Sequence, residues 1–142
     1  MDTVQKISKT QNGFKTHALI MVGLLVIQYA LGMVSNLFVQ FPQTDQAAQQ
    51  WEFARTQLSE MAHIALGMLL FLSAILFVVR AVRKHSPRWI TSSIIGLLAI
   101  LTAILSGSTF ISTQVDAYSL VMSLAFIVAF LAYGWNLVAA RG

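Results

Sequence analysis

The chain has 142 residues, 57% of them hydrophobic and 10% charged, with a mean hydropathy of +0.73 and a formal net charge of +4. A soluble domain carries about a quarter charged residues, so this composition excludes an ordinary water-soluble globule and points to lipid. With no cysteine in the chain, disulfides, thiolate metal centres and covalent c-type haem attachment are excluded as well.

Residues 1–13 are polar and read as a loose cytoplasmic tail, leaving 14–142 as one transmembrane domain. Four uncharged runs follow, over 16–44, 61–79, 89–115 and 117–140. Each reaches, or comes within a residue of, the roughly 20 apolar residues a helix needs to cross the hydrocarbon core. The alternation of a transmembrane barrel is missing. The expected fold is therefore all-α and integral to the membrane: a four-transmembrane-helix bundle with helices over about 14–38, 46–82, 87–111 and 117–140. Lys6, Lys9 and Lys15 ahead of the first run resemble the basic start of a signal peptide. The apolar part is too long for one and has no convincing cleavage site, so it reads as a retained helix.

Pro42 interrupts the chain after the first helix. Beyond it Ala47, Trp51, Ala54, Leu58, Ala62 and Ala65 recur at steps of three and four, which is helical periodicity. Helix 2 is thus expected to begin outside the bilayer near residue 46, capped by Thr44 or Asp45, and to run unbroken to about Val82. Pro87 suits the first turn of helix 3. Arg80, Arg83, Lys84 and Arg88 crowd the second connection, whereas Asp45, Glu52, Arg55 and Glu60 stand in or near the first and Asp116 in the third. By the positive-inside rule both termini and the basic connection lie in the cytoplasm, giving two hairpins with an N-in/C-in topology. The basic connection reads as a topology signal in contact with anionic lipid, not as a nucleic-acid patch.

Gly23–Phe38 aligns without gaps to Gly96–Ile111 with six of sixteen positions identical. Taken as a repeat, this predicts two helical hairpins related by a pseudo-twofold axis. Three polar or small-residue stripes predict the bundle interior: Gln28, Gly32 and Ser35; Thr102, Ser106, Thr109 and Thr113; Ala125, Ala129, Ala132 and Asn136. Such residues allow close helix contacts in membranes. No Asp, Glu, Lys or Arg falls within the cores of the spanning runs, which speaks against a proton-relay pump or a charged ion pathway.

The stretch LSEMAHIALG, Leu58–Gly67, carries the main site candidates. His63 lies about one turn inside helix 2, and Gly67 follows at i+4 on the same face, where a glycine would leave room for a planar macrocycle beside a ligating histidine. Glu60, at i−3, is placed to accept a proton, bind a substrate group or orient the imidazole through water. The plain structural alternative is a histidine hydrogen-bonded at the interface beside a solvated glutamate. His17 opens helix 1 at the opposite end and reads as interfacial, and His85 reads as solvated.

The order of a Gln28-x-x-x-Gly32 face, an outer connection with Pro42, Glu60-x-x-His63 and a basic inner connection resembles one four-helix half of the heme A synthases. The resemblance implies haem held by His63 near the outer face of a prokaryotic plasma membrane, Glu60 as a catalytic residue, and Gln28 and Gly32 at the cofactor. It implies oxidoreductase chemistry if the chain is an enzyme. Family members place further histidines on the fourth helix. Here that helix offers Tyr118, Ser119 and Met122, so Met122 is the candidate second axial ligand, with a homodimer sharing one haem between two copies of His63 as the other arrangement. The leading expectation is a haem-binding membrane protein engaged in electron transfer or haem modification. The alternatives are a non-catalytic scaffold or accessory subunit of a larger membrane complex, and a quinone or small-lipid pocket lined by His63, Gln28, Ser35 and Trp51.

Overall fold

The computed structural model describes residues 2–42 and 44–139. Five helices make up the described residues: α1 (Asp2–Phe38), α2 (Ala47–Thr56), α3 (Leu58–Arg83), α4 (Pro87–Thr113) and α5 (Asp116–Ala139). Among them, Asn12–Phe38, Leu58–Arg83, Pro87–Thr113 and Asp116–Trp135 are long and apolar enough to cross a membrane. These are the features of a multi-pass membrane protein. Helical backbone reaches back to Asp2, through the stretch expected as a loose tail. Ala140, the expected end of the last helix, lies outside the described residues.

The unbroken second helix does not form. Gln57 adopts an extended backbone, φ −92° and ψ 116°, closing α2 and opening α3. Two local features favour the break. The Gln57 amide donates to the Ala54 carbonyl at 3.1 Å, tightening the last turn of α2. Thr56 Oγ1 donates to the Phe53 carbonyl at 2.7 Å. Once broken, α2 is held by its own partners. Gln50 Nε2 donates to the Pro42 and Thr44 carbonyls at 3.0 and 2.9 Å. Trp51 Nε1 donates to Ser112 Oγ on α4 at 3.0 Å. Neither Thr44 nor Asp45 caps α2; the cap position is Gln46, with no side-chain cap. Thr44 Oγ1 instead accepts from the Gln46 amide and donates to Gln49 Oε1.

The long helices pack in a ring, α1 against α3 and α5, and α4 against α3 and α5, with α2 laid on α3 and α4. α3 and α5 therefore stand diagonally across the bundle. Contacts of Phe14 with Phe77 and Trp89 and of Phe77 with Tyr133 bring the N-terminal part of α1, the C-terminal parts of α3 and α5, and the start of α4 to one end. Arg80, Arg83, Lys84 and Arg88 cluster there, and it is called the basic end below.

The apolar core fills the basic half. Phe14 stacks on Trp89 at 5.3 Å, and Phe77 meets Phe14, Trp89 and Tyr133 at 5.8, 5.8 and 5.6 Å. Tyr133 is fully buried and packs directly against Gly96. A Cβ added at Gly96 would come within 2.5 Å of Tyr133 Cζ, so glycine is what permits this crossing of α4 and α5. Gly23, the repeat counterpart of Gly96, has nothing within 4 Å of an added Cβ. The aligned glycines thus do different work.

The stripes divide. Gln28, Gly32 and Ser35 all face one cleft, and Ala125 and Ala129 are buried. Asn136 lies outside the described side chains. The stripe on α4 is split: Ser106 is buried as expected, whereas Thr102 and Thr113 are exposed, and Thr102, Thr109 and Thr113 each donate to the carbonyl four residues back. A threonine that satisfies its hydroxyl on its own helix needs no neighbour.

His17, expected at the interface, is wired into the packing of α1 on α3. Arg80 Nη1 donates to Nδ1 at 3.1 Å, and Ser73 Oγ lies 2.9 Å from Nε2. Because the guanidinium can only donate, Nδ1 is the acceptor, Nε2 carries the proton, and Ser73 receives it.

Candidate functional site

At the α2 end the ring of helices encloses a cleft of about 1040 Å³. Its floor is apolar, with Leu25, Leu70, Ile100 and Ala129. Its mouth is polar, with Ser35, Asp45, Gln50, Trp51, Glu60 and Gln114. Between the two lie Gln28, Gly32, His63, Gly67 and Met122, so one cavity gathers every sequence-predicted site residue. His63 and Met122 are each one to two turns in from the N-terminal ends of α3 and α5, on diagonal helices at similar depth.

The detailed geometry differs from expectation at two glycines. The space at Gly67 is taken by Gln28, whose Nε2 would lie 3.2 Å from an added Cβ. Gly32 is the glycine that accommodates the histidine: a Cβ there would lie 3.0 Å from His63 Cε1. Gln28 Nε2 is 3.1 Å from His63 Nε2 and 3.0 Å from the His63 carbonyl oxygen. The reversed amide would set Oε1 against that carbonyl, so the orientation is fixed. Gln28 therefore spends both amide protons on His63, ring Nε2 is an acceptor, and the imidazole proton sits on Nδ1. Nδ1 itself is buried without a partner.

Several other polar atoms around the cleft are buried and unpaired: Gln28 Oε1, Gln50 Oε1 and Ser35 Oγ. Glu60 is only 8% exposed. The Ser35 hydroxyl faces it, though without a well-formed hydrogen bond. Buried polar groups in native proteins are nearly always paired, so this concentration marks a place prepared for a partner. Sequence reading missed Gln50, because nothing in the polar α2 segment distinguishes the one glutamine that turns inward. It also missed Gly107, where a Cβ would lie 3.1 Å from Met122 Sδ, and Tyr29, stacked on Phe126 at 5.1 Å between α1 and α5.

Haem, implied by the resemblance, does not fit these residues as they are placed. One ring nitrogen of His63 accepts from Gln28 and the other carries the imidazole proton, so neither offers iron a free lone pair. Among the described residues lining the cleft there is no lysine or arginine to meet propionates, while Asp45 and Glu60 are there to repel them. Nor do three or more His, Asp or Glu side chains converge as a metal site among the described residues. In comparisons with family models, curated proteins and solved structures, nothing matches this chain.

Proposed function

We propose that this chain is an integral membrane protein whose cleft binds a neutral amphipathic molecule of the isoprenoid-quinone type, with the head at Gln28, His63, Ser35 and Trp51 and the tail along the apolar floor. One observation carries the reading: a cleft of about 1040 Å³ with an apolar floor and a polar mouth, with no lysine or arginine among the described residues that line it. Small-molecule sites are mostly apolar cavities of roughly 300–1,000 Å³ in which a few placed polar groups fix orientation. An anionic head would meet the carboxylates of Asp45 and Glu60 with no lysine or arginine beside them among the described lining residues.

The test is extraction of the protein purified in mild detergent. Chromatography of the extract should find an isoprenoid quinone approaching one per chain, sharply reduced in Gly107→Trp, which fills the cleft beside Met122. A specific Soret band that His63→Ala abolishes would overturn this reading and restore the haem one. Neither quinone nor haem would leave the scaffold reading.

The orientation belongs to the same proposal, with both termini cytoplasmic and the cleft opening outward, on the strength of the basic residues at the opposite end. Single cysteines introduced at Gln49 and Lys84 should label from opposite sides of sealed vesicles, Lys84 from the cytoplasmic side. Labelling from one side only refutes it.

A further inference from the structure

The hydrogen-bonding sense of the unpaired groups goes further than their polarity. Gln28 has spent both amide protons on His63, and Gln50 has spent both on the Pro42 and Thr44 carbonyls. Each amide is thus fixed in orientation by a backbone carbonyl, and each is left with a bare, buried Oε1 at the cleft. Gln50 as a whole is 1% exposed. Glu60, buried at the same cleft, keeps an acceptor oxygen in either protonation state. On the donor side stand His63 Nδ1–H and the Ser35 hydroxyl. The unpaired groups are weighted toward acceptors, and the two glutamine oxygens cannot become donors without breaking bonds to the backbone.

The two oxidation states of a quinone head answer such a wall differently. The oxidised head offers carbonyl oxygens, which only accept. They can accept from His63 Nδ1–H and the Ser35 hydroxyl, but against Gln28 Oε1 and Gln50 Oε1 they set lone pair against lone pair and leave those two buried oxygens unpaired. The reduced head carries two O–H groups, which donate and still accept, so it can pair with a glutamine oxygen and take the proton of His63 Nδ1 as well. We infer that the cleft is selective for the quinol over the quinone, reading the ligand's redox state by the two bare glutamine carbonyls. This rests on the quinone-type reading of the cleft.

The size of the preference follows from leaving one buried acceptor unpaired, which corresponds to about tenfold in affinity or more. For a two-electron couple, tenfold tighter binding of the reduced form raises the midpoint potential of the bound ligand by about 30 mV. The cleft would hold quinol in the reduced state without itself performing any electron transfer.

The full chain in detergent is titrated anaerobically with decylubiquinol and, separately, with decylubiquinone, following binding by calorimetry. The quinol should bind at least about tenfold more tightly. Gln50→Leu should reduce the preference with the oxidised form still bound, and Gln28→Leu, which also releases His63, should reduce it too. The two amides sit in different elements, α1 and α2, and helix content and melting are checked for both variants. Equal or tighter binding of decylubiquinone by the unmodified chain overturns this inference and leaves the quinone-type reading standing. Binding of neither form overturns that reading, and the inference with it.

Discussion

The same four long helices behave differently at their two ends. At the basic end Phe14, Phe77, Trp89 and Tyr133 fill the space between helices ring against ring, and the Tyr133 hydroxyl is the one buried polar side-chain atom left unpaired there among the described residues, beside the bonded chain from Arg80 through His17 to Ser73. At the α2 end the helices enclose a large cleft, and Gln28, Ser35, Gln50 and His63 keep buried polar atoms without partners. Helices in lipid gain little from the hydrophobic effect and associate through packing and hydrogen bonds. The half that packs well therefore supplies the rigidity, and the half that packs poorly is free to be a site. The difference teaches that the cleft is not a defect of the bundle, because the aromatic plug holds the helix register that the cleft depends on.

If the plug is the structural half, the largest effect should come from removing its centre. Phe77 is fully buried, and Phe77→Ala should cost about 3–5 kcal/mol in unfolding free energy, measured by denaturation in mixed micelles. Phe126→Ala, in the cleft half, removes the same side chain from a partly buried position against half-exposed Tyr29. It should cost less than half as much. Comparable losses at both positions would erase the distinction between the halves.

Glycines give the next test, at smaller size. An alanine methyl at Gly96 meets the Tyr133 ring at 2.5–2.8 Å, and that ring has nowhere to go. Overpacking of this kind costs about 1–3 kcal/mol, and Tyr133→Leu in the same chain should recover much of it. At Gly107 the methyl meets only Met122 Sδ at 3.1 Å, the adaptable end of a flexible side chain. Gly107→Ala should be nearly neutral in the same unfolding assay. If it destabilises as much as Gly96→Ala, the cleft half is as tightly packed as the plug.

Much of this architecture is legible in the sequence, and the failures have identifiable causes. The four helices long and apolar enough to cross a membrane follow from hydropathy, because a helix in lipid must satisfy its backbone internally and present an apolar surface throughout. The break at Gln57 was not legible. Apolar spacing runs on through Ala54, Leu58 and Ala62 whether or not one residue between them is extended, and the bonds that hold α2 aside come from Pro42, Thr44 and Ser112, distant in the chain or hidden in the connection. That Glu60, His63, Gln28 and Gly32 belong together was legible, since they stand out in an apolar sequence and the fold brings them to one cleft. Their relations were not: that Gln28 fixes His63 and occupies the room at Gly67 depends on the register of α1 against α3, which neither helix encodes alone. The α4 stripe held at Ser106, which is buried, and misled at its threonines, because a hydroxyl bonded within its own helix has the same spacing as one bonded across.

The smallest prediction is one of sign, and it separates the two halves most cleanly. Ser73 and Ser35 are both serines on long helices facing another element, and Ser→Ala removes one hydroxyl from each. Ser73 Oγ is paired with His17 Nε2 at 2.9 Å. Its loss leaves the imidazole N–H unpaired in a bonded chain that continues to Arg80, so Ser73→Ala should destabilise by about 0.6–1.5 kcal/mol. Ser35 Oγ is buried and lacks a well-formed bond, so the folded state gains little from it while bearing the desolvation of a hydroxyl. Ser35→Ala should be neutral or stabilising by up to about 1 kcal/mol, and should weaken ligand binding at the cleft. Unfolding measured side by side, without ligand, should therefore give opposite or clearly separated shifts. With ligand present, the gain at Ser35→Ala should disappear, because the hydroxyl it lacks is then one the ligand would have paired. Destabilisation of equal size at both serines, with and without ligand, would mean that Ser35 is already satisfied within the fold, and the cleft would lose one of the groups on which its reading as a binding site depends.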